Sequence, residues 1–453
     1  MKDLKILNAR IPYFETNSWN TSDILIDKGK IVKIGIVNED TKDTIDAQGK
    51  IVAPGFIDIH AHEDPINAGE YNFFTARCEL KMGVTTKAAG NCGETYDDLE
   101  SFCRNIEKKG SPTNYLMFVG QNFLRERVGA LNRYKPSTKM ELEKMKKLLQ
   151  EYKKFSPIGL SCGFEYAPGI TTTETIELIK TLEDEGFLTS VHFRSDGAKS
   201  LESIKELVEI YNHTGYGIQM SHIGSCSAVG YMKEALYAIN IARQEGVDIT
   251  TDCYPYNAFC TGIGTAVFDE GCFEKWKKDY GDILVTGGKY KNQFCTKEIF
   301  DEIRISDPDM YVVAFVMNEE EIEMAYKDPY VMVGSDCGYV NGCGHPRGAG
   351  SFPRVLKRFV NEKKTISLMD ALRKMTILPA DRLKLKSKGE IKEGFDADIV
   401  IFDPLRIKDK ATFENPTLSP EGIDYVIING QIAVCQNKII NDNLGQYIPY
   451  ENI

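Results

Sequence analysis

Eight short apolar runs, separated by stretches of helical length, constrain the fold of this 453-residue chain most strongly. Runs of this kind predict buried parallel strands, and eight β–α units are the number found in a (β/α)8 barrel. The sequence therefore predicts an α/β fold in which residues 54–387 form a TIM-type barrel. The runs are Phe56–His62, Val84–Cys92, Tyr115–Gln121, Ile158–Tyr166, Leu188–Arg194, Gly217–Ile223, Val247–Tyr254 and Tyr330–Asp336.

Helical patterns follow most of these runs. The clearest are Ser137–Lys154, Thr173–Glu185, Ser200–Thr214 and Val229–Glu245. The seventh and eighth runs are separated by a much longer segment, which contains one further strand-like piece at Met310–Met317. Long insertions at the loop end of a barrel commonly cover the functional site. We therefore expect residues 257–329 to form a lid or a wall.

The two ends of the chain are rich in short β patterns. Residues 1–53 contain β segments separated by turns, and similar segments return in residues 388–453 after the last helical patterns. Strands from both ends can pair with each other. The sequence thus predicts a small β-sandwich domain built from both termini.

Composition limits the classes of partner. The formal net charge of −11 and the absence of a basic tail argue against nucleic acid and anionic membranes. We therefore expect a small-molecule substrate. The first ten residues lack the apolar core of a signal peptide, and no run of 18 apolar residues follows, so a cytoplasmic protein is expected. Twelve cysteines without a Cys-x-x-Cys pair are typical of reduced thiols.

Histidines collect at the ends of the predicted strands. In a parallel barrel, functional side chains lie at the carboxyl ends of the strands. Four of the six histidines occupy such positions: His60, His62, His192 and His222. His60 and His62 are two residues apart, so on a strand both would face the same side. A lone histidine is usually structural, but four at one rim predict a metal site.

Other ligand types end neighbouring runs. Cys92 ends the second run, Glu165 lies at the end of the fourth, and Asp336 ends the eighth. Asp336 lies where the eighth strand of a closed barrel would meet the first. Imidazole, thiolate and carboxylate together are ligands that suit zinc.

These residues resemble a known family. The pattern of His60-Ala61-His62 on the first strand, His192 on the fifth, His222 on the sixth and Asp336 on the eighth is similar to the amidohydrolase superfamily of metal-dependent hydrolases. Many members also carry a small β domain made from both termini. The resemblance extends over essentially the whole chain.

Further motifs resemble the N-acyl-D-amino-acid deacylases, or D-aminoacylases, within that superfamily. Cys92 stands in place of the carboxylated lysine that bridges two metals in many relatives, and no lysine ends the fourth run. The motifs are Gly90-Asn91-Cys92-Gly93, Phe164-Glu165-Tyr166-Ala167-Pro168-Gly169, His192-Phe193-Arg194, Asp252-Cys253-Tyr254-Pro255-Tyr256 and His345-Pro346-Arg347.

The resemblance implies a tight zinc and a second, weaker divalent ion. It assigns the zinc to Cys92, His192 and His222, and the weaker ion to His60, His62 and Asp336. One feature departs from the pattern. The family often places a second histidine and a substrate-binding lysine after the sixth-strand histidine, whereas this chain reads Ser221-His222-Ile223-Gly224-Ser225.

The resemblance also implies a mechanism. Metal-activated water would attack a linear amide, with Asp336 as general base and then general acid. Tyr166 is a candidate donor to the developing oxyanion. Arg194, Tyr254, His345 and Arg347 are candidates for holding a substrate carboxylate.

Two alternatives to an N-acyl-D-amino-acid deacylase remain at this point. One is a cyclic-amide hydrolase, similar to dihydroorotase or hydantoinase, or an isoaspartyl-type dipeptidase. These enzymes usually show the fourth-strand lysine that this chain lacks. The other is a non-catalytic scaffold barrel, which would be expected to lack metal ligands. An oligomer is compatible with the sequence, which leaves the oligomeric state open.

Overall fold

The fold is mixed α/β and is built around eight parallel strands. The structure is a computed structural model that describes residues 1–62, 64, 66–67, 70–95, 99–182 and 186–450. Each predicted apolar run contains one of the eight strands, the third being interrupted at one residue. They are Phe56–Asp58, Val84–Ala89, Asn114–Met117 with Val119–Gly120, Gly159–Gly163, Leu188–His192, Gly217–Met220, Ile249–Cys253 and Val331–Val333.

The parallel strands pair in the order in which they occur in the chain. The first two strands and Asn114–Met117, the first part of the third, form one sheet. Val119–Gly120, the second part of the third strand, begins a second sheet that ends with the eighth strand, Val331–Val333. The first and eighth strands approach each other through two hydrogen bonds. The backbone N–H of Asp336 donates to the carbonyl of His60 (2.8 Å), and that of Ser335 donates to Oδ1 of Asp58 (3.0 Å). Their carboxyl ends therefore lie side by side.

The strands are shorter than the apolar runs that predict them. The first ends at Asp58, so His60 and His62 follow the strand instead of lying on it. The expectation that strand alternation aligns these two histidines is therefore wrong. Because the Asp58 carboxylate accepts from the backbone N–H of His60 (3.1 Å), it helps to end the strand in a defined turn.

Helices connect the strands. Helix Lys139–Tyr152 begins at a capping box, in which Thr138 and Glu141 satisfy each other's free backbone N–H groups. Helix Ser200–Thr214 has its predicted bounds, while the helix predicted at Thr173–Glu185 spans Thr172–Lys180, and residues 183–185 lie outside the described residues. Others are Phe74–Lys81, Leu99–Lys109, Gln121–Arg127, Ile223–Ser227, Met232–Gln244, Arg347–Arg354, the π-helix Val355–Glu362, Leu368–Met375 and Ile377–Arg382.

Both ends of the chain contribute to a nine-stranded sheet. Strand Ile51–Pro54 pairs antiparallel with Ile399–Phe402 and thereby joins the N-terminal strands to the C-terminal ones. Isoleucine side chains from both ends, such as Ile6, Ile26 and Ile399, pack into a separate apolar core. The remaining strands are Lys2–Tyr13, Ser18–Asp27, Lys30–Gly35, Thr41–Asp46, Ile423–Ile428, Gln431–Cys435 and Lys438–Ile439.

The segment between the seventh and eighth parallel strands has a small sheet of its own. Strands Phe259–Gly262, Ile283–Val285 and Tyr311–Ala314 are antiparallel, with Tyr311–Ala314 in the middle. Helices Cys272–Trp276, Lys297–Ser306 and Glu319–Lys327 accompany them. The strand-like piece predicted at Met310–Met317 is the central strand of this sheet.

All twelve cysteines are free thiols. This agrees with their irregular spacing in the sequence. Among the helices that the structure describes, none combines the length and the apolar character needed to span a bilayer.

A buried ion pair supports the loop that follows the first strand. Lys87 lies 2.8 Å from Glu79 and donates to the carbonyl of His62 (3.1 Å), and both charged side chains are fully buried. Lys87→Met is expected to lower the free energy of unfolding by about 3–5 kcal/mol, because it leaves the Glu79 carboxylate buried without its cation. Urea unfolding of the metal-free protein measures this. The matched double variant Lys87→Met/Glu79→Gln should recover most of the loss, and a single variant as stable as the parent would contradict the prediction.

Candidate metal centre

The predicted ligands converge at the carboxyl ends of the parallel strands. Their donor atoms form two groups, and within each group all donor atoms lie within 4.8 Å of one another. Cys92 belongs to both. The first group is His60, His62, Cys92 and Asp336, and the second is Cys92, His192 and His222.

Three of these residues have an unusual backbone conformation. Cys92, His222 and Asp336 have positive φ angles of 55°, 32° and 51°. Non-glycine residues in this region cost of order 1–3 kcal/mol each and recur at functional sites as well as in ordinary turns. Each follows a parallel strand within three residues, so the turn redirects the chain just where the ligand side chain is placed. The backbone N–H of His222 is held in that turn by Oδ1 of Asp252 (2.9 Å).

Cys92 lies at the middle of the cluster. Its sulfur is 3.4 Å from Nε2 of His60, 3.7 Å from Nδ1 of His192 and 3.6 Å from Nε2 of His222. The carboxylate of Asp336 occupies the opposite side of the first group. Its Oδ1 is 3.4 Å from Nε2 of His60 and 3.0 Å from Nε2 of His62.

The second nitrogen of each imidazole faces an oxygen. The contacts of His192 and His222 are hydrogen bonds, which fix the ring orientation and the nitrogen that keeps its proton, as at many protein metal sites. In these two rings the nitrogen that points into the cluster is thereby left free to bind a cation. Nδ1 of His60 and Nδ1 of His62 lie near a carboxylate without forming a hydrogen bond to it. The pairs are His60 Nδ1 with Asp252 (3.3 Å), His62 Nδ1 with Glu94 (3.3 Å), His192 Nε2 with Glu165 (3.2 Å) and His222 Nδ1 with Ser225 (2.7 Å).

The cluster favours the charged forms of its thiol and carboxyl groups. Burial alone would raise the pKa of Cys92, but the facing imidazoles, that of His60 first, lower it well below its usual value. Burial would likewise raise the pKa of Asp336. The guanidinium of Arg347 and the nearby imidazoles instead hold that pKa well below its ordinary range. The site therefore presents a thiolate and a carboxylate at neutral pH.

This donor set fits a divalent metal ion. Thiolate, carboxylate and neutral imidazole are all metal ligands, and buried anions are stabilised by a nearby cation. In the metal-free protein Arg347 supplies such a charge at Asp336 (2.7 Å). Cys92, His192 and His222 are all at most 4% exposed. The oriented second nitrogens of His192 and His222 are the arrangement expected around such an ion.

A small cavity of about 20 Å³ opens beside the cluster. The Tyr166 ring lies 4.5 Å from the His192 ring at its wall. Four of its lining residues come from the segment 257–329. The lining consists of Glu165, Tyr166, His192, Phe193, Asp196, His222, Ser225, Tyr254, Phe259, Cys260, Thr261, Val267 and Asp336.

The residues predicted to bind a substrate carboxylate differ in their positions. Arg347 is buried beside the cluster, with Nη1 2.7 Å from Oδ2 of Asp336 and its guanidinium 4.7 Å from the Tyr254 ring. His345 has both ring nitrogens engaged by the backbone, at Ala258 (3.1 Å) and at its own neighbour Arg347 (3.0 Å). The structure gives His345 a structural role instead, since neither nitrogen is free for substrate.

Arg194 is engaged by protein groups outside the cavity lining. Its guanidinium forms hydrogen bonds of 2.8–3.2 Å with the carboxylate of Glu206 and donates to the carbonyl of Pro168 (3.1 Å). It is also absent from the cavity lining. The prediction of substrate contact at Arg194 therefore lacks geometric support.

Comparison with known proteins places this fold and cluster in a family. The sequence profile of the amidohydrolase family matches residues 43–157 and 323–434, together half of the chain. The chain belongs to the amidohydrolase family. The resemblance drawn from its histidine, cysteine and aspartate motifs is confirmed, and so is the predicted enzyme class, a metal-dependent amidohydrolase.

Individual amidohydrolases match most of the chain. It is 28% identical to an N-acyl-D-glutamate deacylase of Alcaligenes xylosoxydans xylosoxydans (90% of this chain, 89% of that one). A D-aminoacylase of the same organism is also 28% identical (90% of each). The crystal structure of N-acyl-D-glutamate deacylase from Bordetella bronchiseptica, with zinc and a phosphonate mimic of the tetrahedral intermediate, is similar with a TM-score of 0.86, 26% identity and coverage of 98% and 99%.

Several residues of this amidohydrolase site were missed by sequence reasoning. Asp252 lies at the end of the seventh run, which is a position typical of functional residues, but an aspartate before a loop is usually a cap or a turn former. Ser225 lies on the short helix Ile223–Ser227 and Glu94 follows the turn at Cys92, and polar residues are common at both kinds of position. No sequence pattern marks Lys275 or Asp196 as part of the site, because the two side chains come together only when the 257–329 segment folds over it.

Proposed function

We propose that this amidohydrolase uses zinc to hydrolyse the amide bond of N-acyl-D-amino acids. The observation that carries the proposal is the placement of the ionised Asp336 carboxylate against two imidazoles, directly beside the group centred on Cys92. An acid–base carboxylate adjoining a metal site is what amide hydrolysis needs. The names of the relatives, D-aminoacylase and N-acyl-D-glutamate deacylase, support this substrate class.

Donor separations support zinc as the ion. Zinc bonds of about 2.3 Å to sulfur and about 2.0–2.1 Å to nitrogen, at a tetrahedral angle, would put the two donors about 3.5 Å apart. The sulfur of Cys92 is 3.7 Å from His192 Nδ1 and 3.6 Å from His222 Nε2. The ligands therefore need little rearrangement to bind zinc.

The two groups are proposed to differ in affinity. Cys92, His192 and His222 supply a thiolate and two buried imidazoles and would hold the tight zinc. The second position, at His60, His62 and Asp336, would hold a weaker divalent ion. Its carboxylate is already paired with Arg347, and the His62 side chain is 16% exposed. Both features lower the attraction of that position for a cation.

Asp336 is proposed to move the proton. Zinc held by these residues would supply a Lewis acid that activates water and polarises the scissile carbonyl. Asp336 accepts the proton of the attacking water and then donates it to the leaving nitrogen as the C–N bond breaks. Arg347 holds Oδ2 (2.7 Å), so Oδ1 remains directed towards the imidazoles and the reacting groups.

Tyr166 is proposed as a donor to the oxyanion. Burial and the charges of Cys92 and Asp336 raise the pKa of Tyr166 well above its usual value, so its hydroxyl keeps the proton that it must donate. Donors of this kind contribute about 2.7–4 kcal/mol. We propose Tyr254 and Arg347 for the substrate carboxylate, because Tyr254 lines the cavity and Arg347 packs on its ring.

Residues 54–387 are proposed to form one closed (β/α)8 barrel. The order of the eight strands and the hydrogen bond from Asp336 to His60 support closure. Residues 1–53 and 388–453 would form the small β-sandwich domain. Residues 257–329 would serve as the wall or lid of the site, which the positions of Phe259 and Val267 in the cavity support.

The fourth strand argues against a cyclic-amide hydrolase with a carbamate-bridged metal pair. That strand ends at Gly163 and is followed by Phe164 and Glu165, with no lysine to carry the carbamate. Glu165 is instead hydrogen-bonded to His192. Cys92, which lies in both donor groups, would supply the ligand shared between the two positions.

A substrate panel tests the proposed function. Zinc-supplemented protein is expected to release amine from N-acetyl-D-amino acids and to leave their L-enantiomers intact, because a carboxylate held by Arg347 and Tyr254 fixes the side-chain position. Amine release is measured over a set of acidic, neutral and basic side chains, with hydantoin and dihydrouracil as cyclic controls. Hydrolysis of a cyclic compound with no action on any N-acyl-D-amino acid would contradict the proposal.

A further inference from the structure

An exposed lysine and two buried carboxylates join the 257–329 segment to the metal centre. Lys275, on helix Cys272–Trp276, has its Nζ 3.2 Å from Oε1 of Glu165 and 2.5 Å from Oδ1 of Asp196. Glu165 and Asp196 are only 9% and 3% exposed. Since buried carboxylates are costly without a cation, the lysine determines where both can lie.

Glu165 is at the same time the partner of a proposed metal ligand. Its Oε2 is 3.2 Å from Nε2 of His192, and Nδ1 of the same ring faces the sulfur of Cys92 at 3.7 Å. A proton on Nε2, donated to Glu165, leaves Nδ1 as the ligand atom. The position of the Glu165 carboxylate therefore sets the tautomer and orientation of the ring.

The position of Lys275 is set by rigid packing. The neighbouring Trp276 donates from Nε1 to Oδ2 of Asp196 (2.6 Å), and the Lys275 ammonium lies 5.0 Å from the Trp276 ring. Trp276 also packs against Phe259 and Phe268, with ring centroids 5.5 and 5.9 Å away. Although the Lys275 side chain is 30% exposed, its ammonium is thus held between two buried carboxylates beside a packed aromatic ring.

We propose that Lys275 is a positioning residue of the metal centre. By holding Glu165, it keeps Nδ1 of His192 directed at the ion, so the docking of the 257–329 segment determines the metal affinity of the Cys92, His192 and His222 group. The inference rests on the metal site of the proposed function, but it adds a residue from outside the strand ends. Lys275 acts through Glu165 and touches neither the ion nor the substrate.

Zinc affinity of the purified protein, measured by competition with a chromophoric chelator, tests the proposal. Lys275→Met is expected to raise the zinc Kd by about 10–100-fold. This is the usual effect of removing a residue that does not bind the metal itself but supports one of its ligands. Lys275→Arg keeps the charge and should restore most of the affinity. The matched control is Lys278→Met, because Lys278 belongs to the same segment but pairs with Asp282 (3.2 Å) away from the site.

A merely structural lysine would give a different pattern. Thermal unfolding of the metal-free proteins reports any loss of stability separately, and Lys275→Gln, which retains a hydrogen-bond donor, provides a second variant if the Met variant folds poorly. Adding Lys275→Met to Glu165→Gln is expected to weaken zinc binding no further, because both act through one contact. An additive effect would overturn the proposal.

The outcome also separates this inference from the proposed function. If the parent binds zinc tightly and Lys275→Met binds it equally well, the role of Lys275 is wrong and the metal centre stands. If the parent itself binds no zinc, both the metal centre and the role of Lys275 are wrong.

Discussion

Replacing Asp336 by Asn is expected to lower kcat by about 10²–10⁴-fold, the usual contribution of a general acid–base group. The amide has nearly the same shape and can still accept from Arg347, but it cannot take up a proton from water. The tight zinc should remain, because its proposed ligands are Cys92, His192 and His222. Steady-state kinetics with the best N-acyl-D-amino acid, together with zinc analysis of the same preparation, measures both effects.

Arg347 provides the matched comparison for this variant. Arg347→Lys leaves the Asp336 carboxylate in place but replaces a bidentate group by a single ammonium. It is expected to raise KM more than Asp336→Asn does. An Asp336→Asn enzyme that hydrolyses the substrate at the parental rate would rule out the proton transfer assigned to Asp336.

Replacing Cys92 by Ala is expected to abolish tight zinc binding. Cys92 is the one residue common to both donor groups, and its loss removes the thiolate that balances the charge of the ion. The zinc Kd should rise by more than the roughly 10–100-fold that is typical when a residue supporting a ligand is replaced. Chelator competition measures the Kd, and His222→Asn should cause a similar loss.

Cys162→Ala is the matched control for this experiment. Cys162 is also a buried free thiol, on the fourth parallel strand, but it belongs to neither donor group. Its removal should cost some stability through the small cavity left behind while zinc binding is kept. Equal zinc affinity in the Cys92→Ala and parental proteins would exclude Cys92 as a ligand.

The order of the strands could be predicted because parallel strands in this chain are buried on both faces. Continuous apolar runs such as residues 115–119 and Val331–Val333 stand out against the amphipathic helices. Their ends could not be predicted, because burial continues into the turns. Residues Ile59 and Ala61, for example, are as buried as the strand before them, so the run extends to His62 although the strand ends at Asp58.

The candidate ligands could be predicted because each lies at the end of a strand or just beyond it, where the topology brings the carboxyl ends of the strands together. Their supporting residues could not. Asp196 and Lys275 are 79 positions apart in the sequence and meet only through the packing of the insertion. His345 and Arg194 lie in motifs that predict substrate contact, but His345 is hydrogen-bonded to the carbonyl of Ala258 and Arg194 to the carboxylate of Glu206.

The most direct test of the account is a crystal structure of the zinc-loaded protein with anomalous diffraction data at the zinc edge. For the proposed metal centre we expect a strong zinc peak bonded to Sγ of Cys92, Nδ1 of His192 and Nε2 of His222. A second, weaker peak is expected near His60, His62 and Asp336. A fully occupied zinc that is not bonded to Cys92, or the absence of any peak at this cluster, would contradict it.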